Sequence, residues 1–235
     1  HIIITRPEDD ARPLRAKLEA LGHTVTVVSL LRIVAREGID IPDLDYQLAV
    51  ATSANGIRSL VANDHVKAIR MLTVGPQSLR AAQEAGFAHA EAEGGDVKGL
   101  VAHIAALFRP EGGPILYLSG AETSGDLQGS LQDLGFEVDR VTLYDARPAT
   151  DLGAAASLLR QHRADAVMLY SPRTARVWAA LVAAEDLEGE AARLMHLCLS
   201  ANVAAGLPES WPRRVAELPQ EDAMLALLDQ FPRKD

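Results

Sequence analysis

The sequence predicts an α/β protein built as two doubly wound parallel-sheet units, and three observations carry that reading. Short β-rich runs alternate with helix-period stretches almost throughout, the pattern of parallel strands with helices on both faces. One segment is echoed later: 20-ALGHTVTVVSLL-31 aligns with 133-DLGFEVDRVTLY-144, and the pairs Ser53/Ser171 and Gly75/Ser200 follow at slowly widening offsets. Such drift fits a duplicated unit carrying insertions. Finally, two charged, proline-containing segments, 35-AREGIDIPDLD-45 and 145-DARPATD-151, fall after equivalent strands and are the expected crossings between units.

Taken in order, 2-IIIT-5 is a strand and 8-EDDARPLRAKLEAL-21 a helix, with Ala11, Leu14, Leu18 and Leu21 near helical period. Pro13 is tolerated there only in the first turn. Gly22 ends that helix, and 24-TVTVVSLLRIV-34 reads as the next strand. Further strands are expected at 47–51, 70–74, 114–119, 137–144, 165–170 and 195–200. Helices are expected at 54–63, 76–86, 97–108, 124–134, 151–162, 172–185 and 220–231, with Asp96 and Asp151 as N-caps. Only the tail, 232-PRKD-235, reads as disordered.

Composition prunes the functions. At 235 residues and 48% hydrophobic content the chain can bury one large core or two ordinary ones. No apolar run approaches the ~18–20 residues of a membrane span, and the opening HIIITRPEDD is not an export signal, so a cytoplasmic location is expected. The net charge of −9 and an aromatic content of 4% argue against a nucleic-acid partner. Cys198, the single cysteine, lies in the apolar run 194-LMHLCL-199 and reads as a buried structural thiol. The seven histidines show no i,i+4 pairing, so no metal site is expected. Dinucleotide, P-loop, zincin and hydrolase signatures are absent. The acidic cluster 8-EDD-10 reads as a complement to a helix N-terminus.

What remains is a set of polar corners where strands end: Thr5-Arg6, Thr52-Ser53-Ala54-Asn55, Gly75-Pro76-Gln77-Ser78, Ser119-Gly120, Ser171-Pro172-Arg173 and Ser200-Ala201-Asn202. Ligands of open parallel sheets bind at this carboxyl edge. Any one Ser or Thr is by itself an ordinary helix cap. Several such corners in two repeated units instead point to a polyanionic ligand held by helix-start N–H groups, which need no net positive protein. Arg6 and Arg173 would add point contacts. Tyr144 closes the strand 137–144 ahead of the second crossing, and reads equally as a packing residue or as an acid, since a phenol with a pKa of ~10 stays protonated at neutral pH.

These segments resemble the uroporphyrinogen-III synthase family over essentially the whole chain. The likeness is carried by ITRP (4–7), TSANGI (52–57), VGPQSL (74–79), GGD (94–96), LYLSGAE with LGFEV (116–122, 134–138), VTLYDARP (141–148), LYSPRTA (169–175) and AELPQEDAML (216–225). Each is weak alone; their order and spacing are specific. The resemblance implies two α/β domains joined by a two-stranded linker, 1–36 with 147–235 and 37–146, in a monomer that uses no cofactor or metal.

It further implies that linear hydroxymethylbilane, the small-molecule substrate, is cyclised in the cleft between the domains. Water is lost and ring D is inverted through a spiro-pyrrolenine. Tyr144, at the family's tyrosine position, would be catalytic. Arg6, Thr52, Ser53, Asn55, Gly75, Ser78, Ser119, Gly120, Ser171, Arg173, Ser200 and Asn202 would bind substrate. Two departures stand out: 199-LSANVA-204 replaces the usual IGPxTA, and Ser119 stands where an arginine is common. The rival readings are a non-catalytic tandem module binding a tetrapyrrole or another polycarboxylate, and a flavodoxin-like flavin binder. Neither needs Tyr144.

Overall fold

The apolar runs pair as parallel strands in two separate sheets. The structure, a computed structural model, describes all residues except 61–62, 94, 124 and 229–235. Parts of the helices expected at 54–63, 124–134 and 220–231, the first glycine of GGD and the whole tail therefore lie outside the described residues. Two compact units emerge: unit 1 is His1–Arg32 with the chain from Arg147 onward, and unit 2 is Ile33–Ala146.

The chain begins unit 1 with β1 (Ile2–Ile4), α1 (Glu8–Ala20) and β2 (Val25–Val27), then enters unit 2 along β3 (Leu31–Ala35). Unit 2 continues with β4 (Leu48–Ala51), α2 (Ala54–Arg58), α3 (Asp64–Ala68), β5 (Met71–Thr73), α4 (Pro76–Glu84) and β6 (Ala90–Ala92). It closes with α5 (Val97–Leu107), β7 (Ile115–Gly120), α6 (Leu127–Gln132) and β8 (Val138–Pro148). Unit 1 then resumes with α7 (Ala154–Arg160), β9 (Ala166–Leu169), α8 (Pro172–Ala184), α9 (Glu188–Ala191), β10 (Met195–Cys198), α10 (Ala201–Ala204), β11 (Arg213–Val215) and α11 (Glu221–Ala226).

The five-stranded sheet of unit 1 has the order β2-β1-β9-β10-β11, and unit 2 has β3-β8-β7-β4-β5-β6. The repeat seen in the sequence equates β2 with β8, β4 with β9, and β5 with β10. Under that equivalence the two strand orders coincide, apart from β3. In both sheets the strand order reverses at the centre, between β1 and β9 and between β7 and β4. Such switch points are where ligands of parallel sheets bind.

Both sheets are buried on both faces. In unit 1, Ile3, Val167 and Leu169 pack with Ala155, Trp178 and Val203, while Ile2, Ile4 and Met168 pack on the other side with Leu14, Leu18 and Met224. In unit 2, Leu116 and Leu118 meet Ile57 and Ala81, and Ile115 and Tyr117 meet Leu100, Ile104 and Leu131. Alternate residues of each strand thus serve opposite cores, which is why these runs are continuously apolar.

Several local expectations need correction. Pro13 lies inside α1, not in its first turn. The carbonyl it leaves without a donor, that of Asp9, is on the exposed face, where water can serve it. The run 24–34 is two strands, broken where the Ser29 hydroxyl donates to Arg6 O (3.0 Å) and Leu30 N to Thr5 O (3.2 Å). α2 stops at Arg58, and Asn63 caps the separate α3 through Val66 N (3.1 Å). Asp151 caps no helix: its carboxylate accepts from Gly153 N (2.9 Å), and α7 starts only at Ala154. β8 runs to Pro148, so Tyr144 lies within that strand instead of ending it. The extension is held just past the end of β3, where Arg36 N donates to Leu143 O (2.8 Å) and the Arg36 guanidinium pairs with Asp145 (2.8 Å). β6 and β11, absent from the expected strands, are three-residue edge strands of sequence AEA and RRV.

Candidate functional site

The predicted corners do collect at the carboxyl ends of the strands, and those ends are built by capping. Ser53 precedes α2 and accepts from Asn55 N (3.2 Å). Ser171 precedes α8; its hydroxyl accepts from Thr174 N (3.0 Å) and also bonds Thr174 Oγ1 (2.7 Å). Ser200 precedes α10 and accepts from Val203 N (3.4 Å). Each satisfies a helix-start N–H that would otherwise lack a partner. Asn55 accepts from the Arg58 guanidinium (3.4 Å), while Asn202 is exposed in the first turn of α10. Arg173 is half-buried in the first turn of α8. Gly75 caps α4 at φ 82°, a left-handed conformation that favours glycine, and Ser78 is buried one turn later. Gly56 explains the small residue in TSANG, since a Cβ there would lie 3.0 Å from Leu118 O and push α2 off β7.

At the switch point of unit 1, Thr5 is buried and donates to Met168 O (2.7 Å), tying β1 to β9. Arg6 is already engaged. It lies over the ring of Tyr170 (4.7 Å) and pairs with Asp10 (3.7 Å) and Glu221 (3.8 Å), which also takes Lys17 (2.6 Å). The Tyr170 hydroxyl is buried and finds no hydrogen-bond partner among the described residues. Burial raises its pKa, the Arg6 charge opposes that rise, and Glu221 adds to it.

The switch point of unit 2 holds a tighter cluster. Ser119 and Gly120 end β7, and the register with β8 shifts there, so that Ser119 pairs with Thr142 and Gly120 with Tyr144. The Tyr144 ring, 7% exposed, lies across Gly120, where a Cβ would stand 2.5 Å from ring carbon Cζ. From β8, Arg140 donates through Nε to Ser119 Oγ (2.9 Å) and through Nη2 to the carbonyls of Gly120 (2.9 Å) and Ala121 (3.1 Å). Its guanidinium carbon also stands 5.9 Å from the centre of the Tyr117 ring. Tyr117 Oη and Thr52 Oγ1 are 3.1 Å apart and share a hydrogen bond. Burial raises the Tyr117 pKa, while the Thr52 bond and the Arg140 charge pull it down.

Thr52, Ser119, Gly120 and Tyr144 are thus brought together within unit 2, linked by Tyr117 and Arg140, which the sequence reading did not single out. Their signal was present only as a cross-strand pair, Tyr117 opposite Arg140 in parallel register. A cavity of about 530 Å³ in unit 1 contains none of the predicted residues. Asp165 and Met195 line it at the amino ends of β9 and β10, the sheet edge opposite the corners. Among the described residues, no group of three or more His, Cys, Asp or Glu is placed to hold a metal ion, and no helix is long and apolar enough to cross a membrane.

Comparison with known proteins covers nearly the whole chain. The family profile described as uroporphyrinogen-III synthase HemD matches residues 12–226. No curated protein matches the sequence. Among solved structures, uroporphyrinogen-III synthetase from Helicobacter pylori shares 16% identity over 97% of both chains, with a TM-score of 0.64. A mutant uroporphyrinogen III synthase from Thermus thermophilus shares 17% identity over 97% of both chains, with a TM-score of 0.52. At such identity these two structures speak for the fold alone.

Proposed function

The chain belongs to the uroporphyrinogen-III synthase family of tetrapyrrole biosynthesis, and from that premise we propose that it cyclises hydroxymethylbilane to uroporphyrinogen III. The observation that carries this reading is the family match over residues 12–226, a span that includes every corner except Thr5-Arg6. In the proposed reaction the substrate hydroxyl leaves as water, giving an azafulvene. Ring D then attacks through its already substituted carbon to form a spiro-pyrrolenine, which fragments and recloses with ring D inverted. The Tyr144 phenol gives its proton to the departing hydroxyl and regains one when the last ring closure releases it. A phenol suits this step because its O–H can donate to a developing hydroxide.

Orientation is the larger task, since the free bilane also closes unaided to the uninverted isomer. Holding one end of a flexible chain against the other converts a choice between closures into a fixed geometry. Acetate and propionate groups would be held by helix-start N–H groups at the Ser53, Gly75, Ser171 and Ser200 corners. Thr52, Ser119 and Gly120 would meet the substrate beside Tyr144. Asn55, Ser78, Arg173 and Asn202 would contribute from first helical turns. Arg6 fits this role least well, because Asp10 and Glu221 already balance its charge. The same reading makes the chain a cytoplasmic monomer that needs no cofactor and binds neither membrane nor nucleic acid, the last supported by its net charge of −9.

The deciding experiment supplies freshly made hydroxymethylbilane and separates the porphyrin isomers after oxidation. Isomer III is expected in excess; isomer I alone at the spontaneous rate would overturn the assignment.

A further inference from the structure

We infer that Arg140 is a positioning residue for Tyr144, an inference that rests on the catalytic reading of Tyr144 above. The guanidinium serves three acceptors on one short stretch, Ser119 Oγ and the carbonyls of Gly120 and Ala121. This is where β7 ends and its register with β8 shifts. Tyr144 is bound to the same stretch twice: its ring lies across Gly120, and its carbonyl accepts from Ala121 N (2.9 Å). The support under the ring is therefore fixed by Arg140, which itself makes no hydrogen bond to the phenol among those given by the structure.

Arginine suits this place because its planar fork presents Nε and Nη donors in fixed directions, whereas a lysine ammonium acts from one point. Ser119 gains a role as well. Its hydroxyl accepts from Arg140 Nε, where an arginine at that position would repel it. Arg140 also stands over Tyr117, whose hydroxyl bonds Thr52. One side chain thus ties the corner after β4 to the corner after β7 and holds the tyrosine beside both.

The test uses the full chain with ¹³C at tyrosine Cζ, which gives one signal for each of its four tyrosines, assigned by Tyr→Phe variants. In Arg140→Met the Tyr144 signal is expected to shift or broaden while those of Tyr46 and Tyr170 stay, and Arg140→Lys is expected to restore part of the change. With hydroxymethylbilane, Arg140→Met should lower kcat about 10- to 100-fold, the scale of a small misplacement, a larger factor than any rise in KM through Thr52, Ser119 and Gly120. Placed in a Tyr144→Phe background, the same substitution should change kcat by less than about twofold, because it acts through the missing hydroxyl. An unmoved Tyr144 signal in a folded Arg140→Met chain would overturn the inference, as would the full kcat loss recurring without the Tyr144 hydroxyl. If Arg140→Met does not fold, Arg140→Lys decides both arms, with smaller changes expected in the same directions and the same null results overturning the inference. A chain that never makes isomer III defeats the functional reading instead, and the tyrosine signals then still decide whether Arg140 sets the position of the ring.

Discussion

Gly120 and Tyr144 stand opposite one another across β7 and β8 because the register slips by one residue after Ser119. The ring takes the space that a side chain at residue 120 would fill, with Cζ 2.5 Å and Oη 2.8 Å from the position of a Cβ. Gly120→Ala should therefore displace the ring. We expect turnover to fall at least about tenfold and stability to drop by about 1–3 kcal/mol through overpacking. Steady-state kinetics and a urea titration check the two effects separately.

Tyr144→Phe keeps the ring and removes the proton donor. Turnover should fall by about 10²-fold or more, the low end of what a positioned general acid contributes, while product affinity stays the same. Single-turnover kinetics beside a product-binding titration test this, and an unchanged rate would remove Tyr144 from the acid role.

Ser171 and Ser53 should differ as caps although they stand at matching places in the repeat. Ser171 starts a helix of 13 residues, Ser53 one of five. Ser171→Ala is expected to cost about 1 kcal/mol, the usual loss of an N-cap, and Ser53→Ala less. If both hydroxyls also meet substrate, both variants raise KM. Denaturation midpoints and KM, measured on the same preparations, separate capping from binding.

His196 should make stability depend on acid pH. It is fully buried, stacked on Trp211 at 4.9 Å, and its Nε2 accepts from Trp178 Nε1 (3.1 Å). The proton therefore sits on Nδ1, which donates to Pro212 O (3.0 Å). Burial lowers its pKa from 6.5 to about 4, helped by the Arg213 charge and opposed by hydrogen bonds to the Pro212 and Leu194 backbone. Between those values the unfolded chain binds more protons than the folded one. The contribution, about 3 kcal/mol at most, is complete above pH 6.5 and is lost as pH falls toward 4. Urea midpoints across that window should slope in the native chain and flatten in His196→Gln.

The α/β class was legible because strands buried on both faces must be apolar runs, as Ile2–Ile4 and Leu48–Ala51 are. Caps at Ser53, Ser171, Ser200 and Asp96 were legible because capping is decided within a few residues. Asp151 misled for the same local reason: Gly153, at φ 51°, turns the chain before the helix starts. β6 and β11 were hidden because an edge strand can be held by backbone bonds to one neighbour and needs no apolar side chains. Arg140 and Tyr117 were hidden more deeply. Their meeting depends on how β7 and β8 align, a relation between strands that spacing along the chain does not encode.

Unit 1 has a seam in time as well as in space. β1 finds its central partner in β9, and the hydrogen bond from Thr5 to Met168 joins residues 163 positions apart. All of unit 2 leaves the ribosome between them, as one uninterrupted stretch, and can fold while its host is half made. Until β9 emerges, the apolar triplet of β1 has only the short β2 beside it. A nascent chain that stalls before residue 166 therefore carries a finished inserted unit and an orphaned sticky strand, the state from which aggregation would start.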